Sequence, residues 1–226
     1  MRLREFSGWG ARTVAESFMP SLLLHCVFVH AAPASRHRNN RARKCAAPKK
    51  ETSMPLSLYD LTVPNYLQTL GAVSGFLKKG AAFCEEQGTS ADEIVQARVI
   101  DDMLPFSFQI ASVAQHSLGA VEGVQGGACY PPKDPGTYTY ADLQKLVDEA
   151  QAGLEKVTPG ALNACEGKDV AFHLGQRQLP FTAENYLLSF AFPNFYFHAT
   201  TAYDILRARG VKLGKIDFLG KMRMKM

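Results

Sequence analysis

Cysteine is scarce in this chain and is not spaced for a structural role. Five cysteines occur in 226 residues, and their odd number leaves at least one unpaired. No two of them stand in a C-x-x-C arrangement, so neither a disulfide framework nor a zinc ribbon is expected. The three cysteines beyond residue 53 are predicted to be free thiols in a reducing compartment; they are Cys84, Cys129 and Cys165.

Long apolar runs and the common motifs of hydrolases and nucleotide-binding proteins are also missing. No stretch of about 18 uninterrupted apolar residues occurs, so no transmembrane helix is expected. No G-x-S-x-G elbow is present to support nucleophilic hydrolysis. The glycine-rich run at residues 123–127 lacks the Lys and the Ser or Thr of a phosphate loop and follows no predicted strand. We therefore interpret this run as a loop.

The net charge of +4 is unevenly distributed. Residues 1–53 contain ten Lys or Arg and three acidic residues, whereas the remainder contains 15 basic and 18 acidic residues. The remainder is therefore mildly acidic, and it has no basic surface of the kind that binds DNA or RNA. No nucleic-acid partner is expected.

Residues 1–53 form a basic extension that is predicted to be disordered. Three origins remain open for it. Met54 resembles a natural start, which would make the extension an over-long gene start. Its Arg-rich, acid-poor beginning is typical of a mitochondrial transit peptide. The third origin is a secretory signal, which the apolar run before Ala32-Pro-Ala34 resembles, or a functional tail. The protein is expected in the cytoplasm, or in mitochondria if the extension is a transit peptide.

The rest of the chain, 54–226, has the apolar spacing of helices. Four long helical segments are predicted, with Thr62, Thr139 and Thr182 as cap residues of the first, third and fourth. Alternation of apolar residues over 169–182 predicts a short β-hairpin before the last helix. We therefore predict an all-α protein, an antiparallel four-helix bundle with this hairpin, with a frayed tail after residue 220. Pro193 is expected to kink the last helix.

Several motifs of this domain resemble those of a known family. They are Leu56-Ser-Leu-Tyr-Asp60, Ala97-Arg-Val-Ile-Asp-Asp-Met-Leu-Pro105, Leu179-Pro-Phe-Thr182, and the block from Phe192-Pro-Asn-Phe-Tyr-Phe-His198 to Gly220. Together they resemble the domain-of-unknown-function 1993 family, a branch of the DinB-like four-helix bundles. The resemblance implies a fold and a site location, without an established activity. Many proteins of that superfamily bind a divalent metal through three histidines and form dimers.

The resemblance places a metal ligand on the second helix and an i, i+4 pair on the fourth. Transferred to this chain, these positions are His116, Asn194 and His198. Asn194 stands where the pattern has a histidine, and an amide oxygen is a poor ligand for zinc or nickel. The other interpretation is a buried hydrogen bond between Asn194 and His198, without any metal.

Other polar residues are further pocket candidates. Asp101 and Asp102 precede the second helix and could line a pocket with Arg98, although acidic residues also favour helix N-termini for dipole reasons. Gln109 is a polar candidate on the second helix, and His173 in the hairpin is expected to be half-exposed.

Two functions remain open: a binding or structural module for an unknown small molecule, or a DinB-like metal-dependent enzyme, a thiol transferase or hydrolase. A homodimer is expected in either case.

Overall fold

The protein is mostly helical and also has a small sheet. The computed structural model describes residues 56–133 and 136–225. The helices are α1 (Leu58–Gln87), α2 (Asp92–Val95), α3 (Phe106–Ala114), α4 (Ala120–Gly126), α5 (Tyr140–Glu155), α6 (Pro159–Asn163), α7 (Ala183–Asn185), α8 (Phe192–Ala208) and α9 (Lys215–Leu219). Two π-helical segments, π1 (Gln115–Gly119) and π2 (Tyr186–Ala191), interrupt the α-helical geometry, and the strands are β1 (Ala128–Cys129), β2 (Asp169–Leu174) and β3 (Arg177–Thr182). The extension predicted for residues 1–53 lies outside the described residues.

The first helix, α1, begins earlier than the sequence pattern predicts. Ser57 is its N-cap: the Ser57 hydroxyl accepts from the Asp60 N–H, and the Asp60 carboxylate accepts from the Ser57 N–H. Thr62, the predicted cap, lies inside the helix and donates to the carbonyl oxygen of Leu58 at 2.6 Å. The prediction was wrong because Thr62 has no acidic residue three positions later, whereas Ser57 has Asp60 there and forms a reciprocal capping box.

Each of the two helices that carry His116 and His198 is widened by a π segment. α3, π1 and α4 follow one another without a break, and so do α7, π2 and α8. Pro193 lies in the first turn of α8, directly after π2. A proline inside a helix has no N–H to donate and its ring crowds the preceding turn. The wider π turn before Pro193 relieves this conflict within a continuous helix.

The glycine-rich run predicted as a loop is mostly helical. Gly123 and Gly126 belong to α4, which ends at Gly127 in the left-handed conformation with φ 78°. The loop prediction was wrong because Gly123 allows close packing inside α4 and Gly127 ends the helix. A β-carbon on Gly123 would lie 2.5 Å from Cys129 Sγ, so this glycine lets β1 approach the helix closely.

The long helices bury their apolar faces against one another. α3 packs against α8 and α5, and α1 packs against α5 and α8. The short α9 packs on α1. The largest fully buried side chains include Tyr66, Phe106, Leu143, Leu154 and Phe195, which come from each of these four long helices. Within the described ranges, no helix is long and apolar enough to cross a membrane.

The sheet has three strands in the order β1-β2-β3. β2 and β3 pair antiparallel from Asp169 opposite Thr182 to Leu174 opposite Arg177. The sequence analysis expected two strands, and β1 adds a third that runs parallel to β2. β1 is only two residues long, so no alternation of apolar residues could announce it. Phe172 on β2 packs on Tyr186 and Phe190 of π2, which fixes the sheet beside the last long helix.

Candidate functional site

The structure brings His116 and His198 together from two different helices. His116 lies on π1 and is 4% exposed, while His198 lies on α8 and is half-buried. Their ring centroids are 5.8 Å apart and the ring planes differ by 4°. The packing of α3 against α8 produces this pairing across 82 positions of sequence. We call these two side chains the histidine pair.

Asn194 is close to the pair but does not bond to His198 as one interpretation of the sequence expected. Its side-chain Nδ2 donates to the carbonyl oxygen of Phe190 at 2.8 Å. The His116 ring makes edge contact with Phe190 and stacks with His198. Phe190, Asn194 and His198 follow one another at one-turn intervals. Because His116 contacts the first and the last of them, it lies beside the turn that carries Asn194.

Gln109 is the hydrogen-bond partner of His198. Gln109 Oε1 lies 2.7 Å from His198 Nδ1, and Gln109 Nε2 donates to the carbonyl oxygen of Leu104 at 2.8 Å. The contact with Leu104 sets the orientation of the amide, because only the NH₂ end of a glutamine can donate. Gln109 Oε1 must then accept, so His198 carries its proton on Nδ1. His198 Nε2 is left with a free lone pair.

Both histidines are neutral at physiological pH. Burial, and to a smaller extent the proximity of His198, lower the pKa of His116 to about 4. Burial also lowers the pKa of His198 to about 4. A buried imidazolium would lose its hydration without gaining an acidic partner, so the uncharged form is favoured. The site therefore offers lone pairs and N–H groups without a net charge.

Beside the histidine pair, two buried polar atoms of the α3–π1 helix, His116 Nδ1 and Ser112 Oγ, have no partner in the described residues. Ser112 follows Gln109 by three positions and precedes His116 by four, so the three side chains share one face of the helix. Buried polar atoms are rarely left unpaired. Ser112 was not predicted from the sequence. The only feature that could have indicated it is its spacing of three positions from Gln109 and four from His116.

The remaining candidates lie away from the histidine pair. Asp101 and Asp102 are exposed on a turn before α3. Arg98 donates from Nη1 to the carbonyl oxygen of Met103, and it lines a separate cleft of about 420 Å³. His173 is half-buried on β2, where its ring stacks on Tyr130 with centroids 4.9 Å apart. In the described part of the chain, no hydrogen bond or ring contact joins any of these four side chains to His116 or His198.

The donor set does not match a three-histidine metal site. No group of three or more His, Cys, Asp and Glu side chains able to hold a metal occurs in the part of the chain that the structure describes. The histidine pair supplies two nitrogen ligands, and the third position belongs to Asn194. Its amide nitrogen is already committed to Phe190. Structural and catalytic zinc sites normally use at least three protein ligands, so the site as built is one ligand short.

The packing of the long helices is that of a DinB-like protein. The structure is similar to the crystal structure of a DinB family member protein from Shewanella denitrificans, with a TM-score of 0.63 and 29% sequence identity. The match covers 75% of this chain and 95% of that chain.

The chain belongs to the family described as Domain of unknown function (DUF1993), whose model matches residues 58–219. The family predicted from the sequence motifs is thereby confirmed. No curated protein matches the chain. Family and fold are therefore established, whereas the function has to be argued from the site itself.

Proposed function

We propose that this protein is a small-molecule binding protein built on an antiparallel four-helix bundle of the DinB-like kind. The observation that carries the proposal is the contact of 2.7 Å between Gln109 Oε1 and His198 Nδ1, which directs the lone pair of His198 to Nε2, beside the neutral His116. Because neither His116 nor His198 is charged, the site suits an uncharged ligand. Residues that act as acceptors in a largely apolar setting are the usual source of orientation in small-molecule sites.

The surroundings of the histidine pair support a flat ligand with one hydrogen-bond donor. Phe108 and Phe197 contact the His198 ring edge-on, with centroids 5.9 and 5.3 Å away, and Phe190 contacts His116. Aromatic walls favour an aromatic or otherwise flat apolar body. His198 Nε2 then accepts from an O–H or N–H of that ligand. A ligand lacking the donor leaves a polar atom unpaired and binds more weakly.

Phenol and toluene test this proposal, because they share one shape and differ in the donor. We expect phenol to bind the full-length chain and to shift the ring signals of His198 in NMR spectra. Toluene should bind roughly tenfold more weakly, the usual effect of one buried hydrogen bond. His198→Leu should remove this difference between the two ligands.

His173→Leu is the matched control, because it removes a histidine that does not belong to the pair. We expect this variant to keep the preference for phenol. Equal affinities of phenol and toluene for the unmodified chain would contradict the proposal, as would an unchanged preference in His198→Leu.

The second candidate function is a metal-dependent enzyme of the DinB-like kind, a thiol transferase or hydrolase. One observation favours it: a histidine that ligates a metal usually donates its other ring nitrogen to a polar partner, as His198 does to Gln109. The missing third ligand weighs against it. No cofactor is part of the leading proposal.

Metal content of the full-length chain, measured by plasma mass spectrometry, separates the two candidates. A binding protein without a resident metal is expected to hold clearly less than one divalent ion per chain after purification without a metal-affinity tag. One zinc or nickel per chain that disappears in His198→Ala would support the enzyme instead. Phenol binding measured on the His198→Ala variant gives a second readout that does not depend on metal content.

We also propose that the protein forms a homodimer and that it is located in the cytoplasm. Tyr196 and Phe197 on α8 are 38% and 55% exposed, which is unusual for neighbouring aromatic residues and suits contact with a second copy. Cys84, Cys129 and Cys165 are free and buried, in keeping with a reducing compartment. A mitochondrial location, the alternative, depends on residues 1–53 and lies outside the described part.

A further inference from the structure

A second cleft opens at the N-terminal end of α3 and meets the surroundings of the histidine pair only at Phe108, whose ring contacts His198. Its volume is about 420 Å³, within the range of small-molecule sites. Arg98, Ser107 and Phe108 contribute to its lining, whereas His116, His198 and Gln109 do not. What this cleft could bind is therefore a separate question from the function proposed above.

The end of α3 that faces the cleft is not capped. Pro105 occupies the N-cap position, and among residues 56–133 and 136–225 no side chain accepts a hydrogen bond from the first turn. The Phe106 N–H donates to the carbonyl oxygen of Ala97 and the Gln109 N–H to that of Pro105. In the described part of the chain, the N–H groups of Ser107 and Phe108 have no backbone acceptor. Free N–H groups at a helix N-terminus attract anions.

A buried hydroxyl in the cleft independently indicates a ligand. Ser107 is 1% exposed, lines the cleft, and its Oγ has no hydrogen-bond partner in the described residues. A buried hydroxyl without a partner costs free energy unless something outside the chain accepts or donates a hydrogen bond. A carboxylate oxygen in the cleft would accept from Ser107 Oγ as well as from the free N–H groups.

Arg98 supplies positive charge to the same cleft. Its Nη1 donates to the carbonyl oxygen of Met103, which orients the guanidinium and leaves its other donors free. The ion pairs formed by the described residues do not involve Arg98. Asp101 and Asp102, its acidic neighbours in sequence, are exposed and do not line the cleft. A planar carboxylate fits the remaining donors of an arginine.

We propose that this cleft binds a small carboxylate that carries an apolar body. The carboxylate accepts hydrogen bonds from Arg98, from Ser107 Oγ and from the first turn of α3. The apolar body packs against Leu104, Pro105 and Pro132, which line the rest of the cleft.

Benzoate and benzamide test the proposal, because they share the ring and only benzoate is charged. We expect benzoate to shift the backbone amide signals of Ser107 and Phe108 in the full-length chain, and to bind at least tenfold more tightly than benzamide. Arg98→Gln should weaken benzoate roughly tenfold or more, as expected for a charged hydrogen bond. Ser107→Ala should weaken it about threefold to tenfold.

Arg177→Gln is the matched control, since Arg177 is an exposed arginine on β3 that does not line the cleft. This variant should bind benzoate like the unmodified chain. Equal affinities for benzoate and benzamide, or equal losses in Arg98→Gln and Arg177→Gln, would overturn the proposal. Tighter binding of inorganic phosphate than of benzoate at the same amides would overturn the assignment to a carboxylate. Arg98→Gln should leave phenol binding unchanged, because Arg98 contacts neither histidine in the described residues.

Discussion

At the scale of single residues, Gln109 decides what the histidine pair can do. Its amide is 2% exposed and is held at one end by the carbonyl oxygen of Leu104 and at the other by His198. A glutamine in this position presents an oxygen to the imidazole and thereby keeps the proton of His198 on Nδ1. The proposed ligand contact at Nε2 depends on that choice of tautomer.

A carboxylate at position 109 is expected to change the charge state of His198. In Gln109→Glu the negative oxygen facing Nδ1 should raise the pKa of His198 from about 4 toward its ordinary value of 6.5, because an adjacent opposite charge stabilises the imidazolium. NMR titration of the histidine ring signals measures this pKa. Gln115→Glu is the control, since Gln115 bonds to the carbonyl oxygen of Tyr130 instead. The same His198 pKa in both variants would disprove the role of Gln109.

The buried histidines should also make the fold sensitive to mild acid. Each titrates near pH 6.5 when unfolded and at about pH 4 when folded. Between these values the unfolded state binds more protons, so the free energy of unfolding falls as the pH falls. The expected slope is up to about 1.4 kcal/mol per pH unit for each histidine, and it vanishes above pH 6.5.

Urea unfolding at pH 7.0, 5.5 and 4.5 measures this slope. His116→Leu should reduce it by roughly half, because one of the two titrating groups is gone. His173→Leu should leave it unchanged. Asp142, Glu184 and Asp217 have pKa values lowered by hydrogen bonds, so they also destabilise the fold as the pH falls toward 4.5, but they do so equally in every variant compared. An identical slope in His116→Leu and in the unmodified chain would contradict the assignment.

At the scale of secondary-structure elements, α1 shows how glycines in one helix serve different purposes. Gly80 faces α5, where the Tyr140 hydroxyl donates to the carbonyl oxygen of Leu77 at 2.8 Å. A β-carbon on Gly80 would lie 2.3 Å from that hydroxyl oxygen and 3.2 Å from Leu206 Cδ2. Gly71, nine residues earlier on the same helix, is exposed and has nothing within 4 Å of such a β-carbon.

Alanine at these two positions should therefore have opposite effects on stability. Gly80→Ala is expected to lower the free energy of unfolding by roughly 1–3 kcal/mol, because α1 and α5 must move apart. Gly71→Ala should raise it by about 0.5–1 kcal/mol through helix propensity. Denaturant unfolding measures both. A Gly80→Ala variant as stable as Gly71→Ala would show that the contact between α1 and α5 is looser than described.

At the scale of the whole molecule, the exposed aromatic residues of α8 bear on the proposed dimer. Phe197 is 55% exposed, as much as any aromatic side chain of the described residues, and it adjoins His198 in sequence. A dimer formed over this surface would also cover one side of the histidine pair. Oligomeric state and access to the site are then linked.

Light scattering during size-exclusion chromatography tests the proposed dimer on the full-length chain. We expect a dimer for the unmodified chain and a monomer for Phe197→Ser, because the polar side chain removes apolar area from the interface. Ile216→Ser on α9 is the control, since Ile216 is 69% exposed and lies on a different helix. It should remain dimeric. A dimeric Phe197→Ser protein would exclude this surface of α8 as the interface.

The sequence by itself determined the features that depend on neighbouring residues. The family motifs, the helical periodicity and the caps at Thr139 and Thr182 all follow from local spacing. It also indicated His116 and His198 as a possible pair, through the resemblance. These signals act within one or two helical turns, so they can be detected without knowing how the helices pack.

Only the tertiary structure decided the chemistry of the two candidate sites. The bond between Gln109 and His198 joins residues 89 positions apart, and the cleft at Ser107 depends on how the chain enters α3. No periodicity records which amide faces which imidazole, or which buried hydroxyl is left without a partner. Those properties arise when the packing of helices fixes both the neighbours and the exclusion of water, and only then do tautomer, pKa and ligand follow.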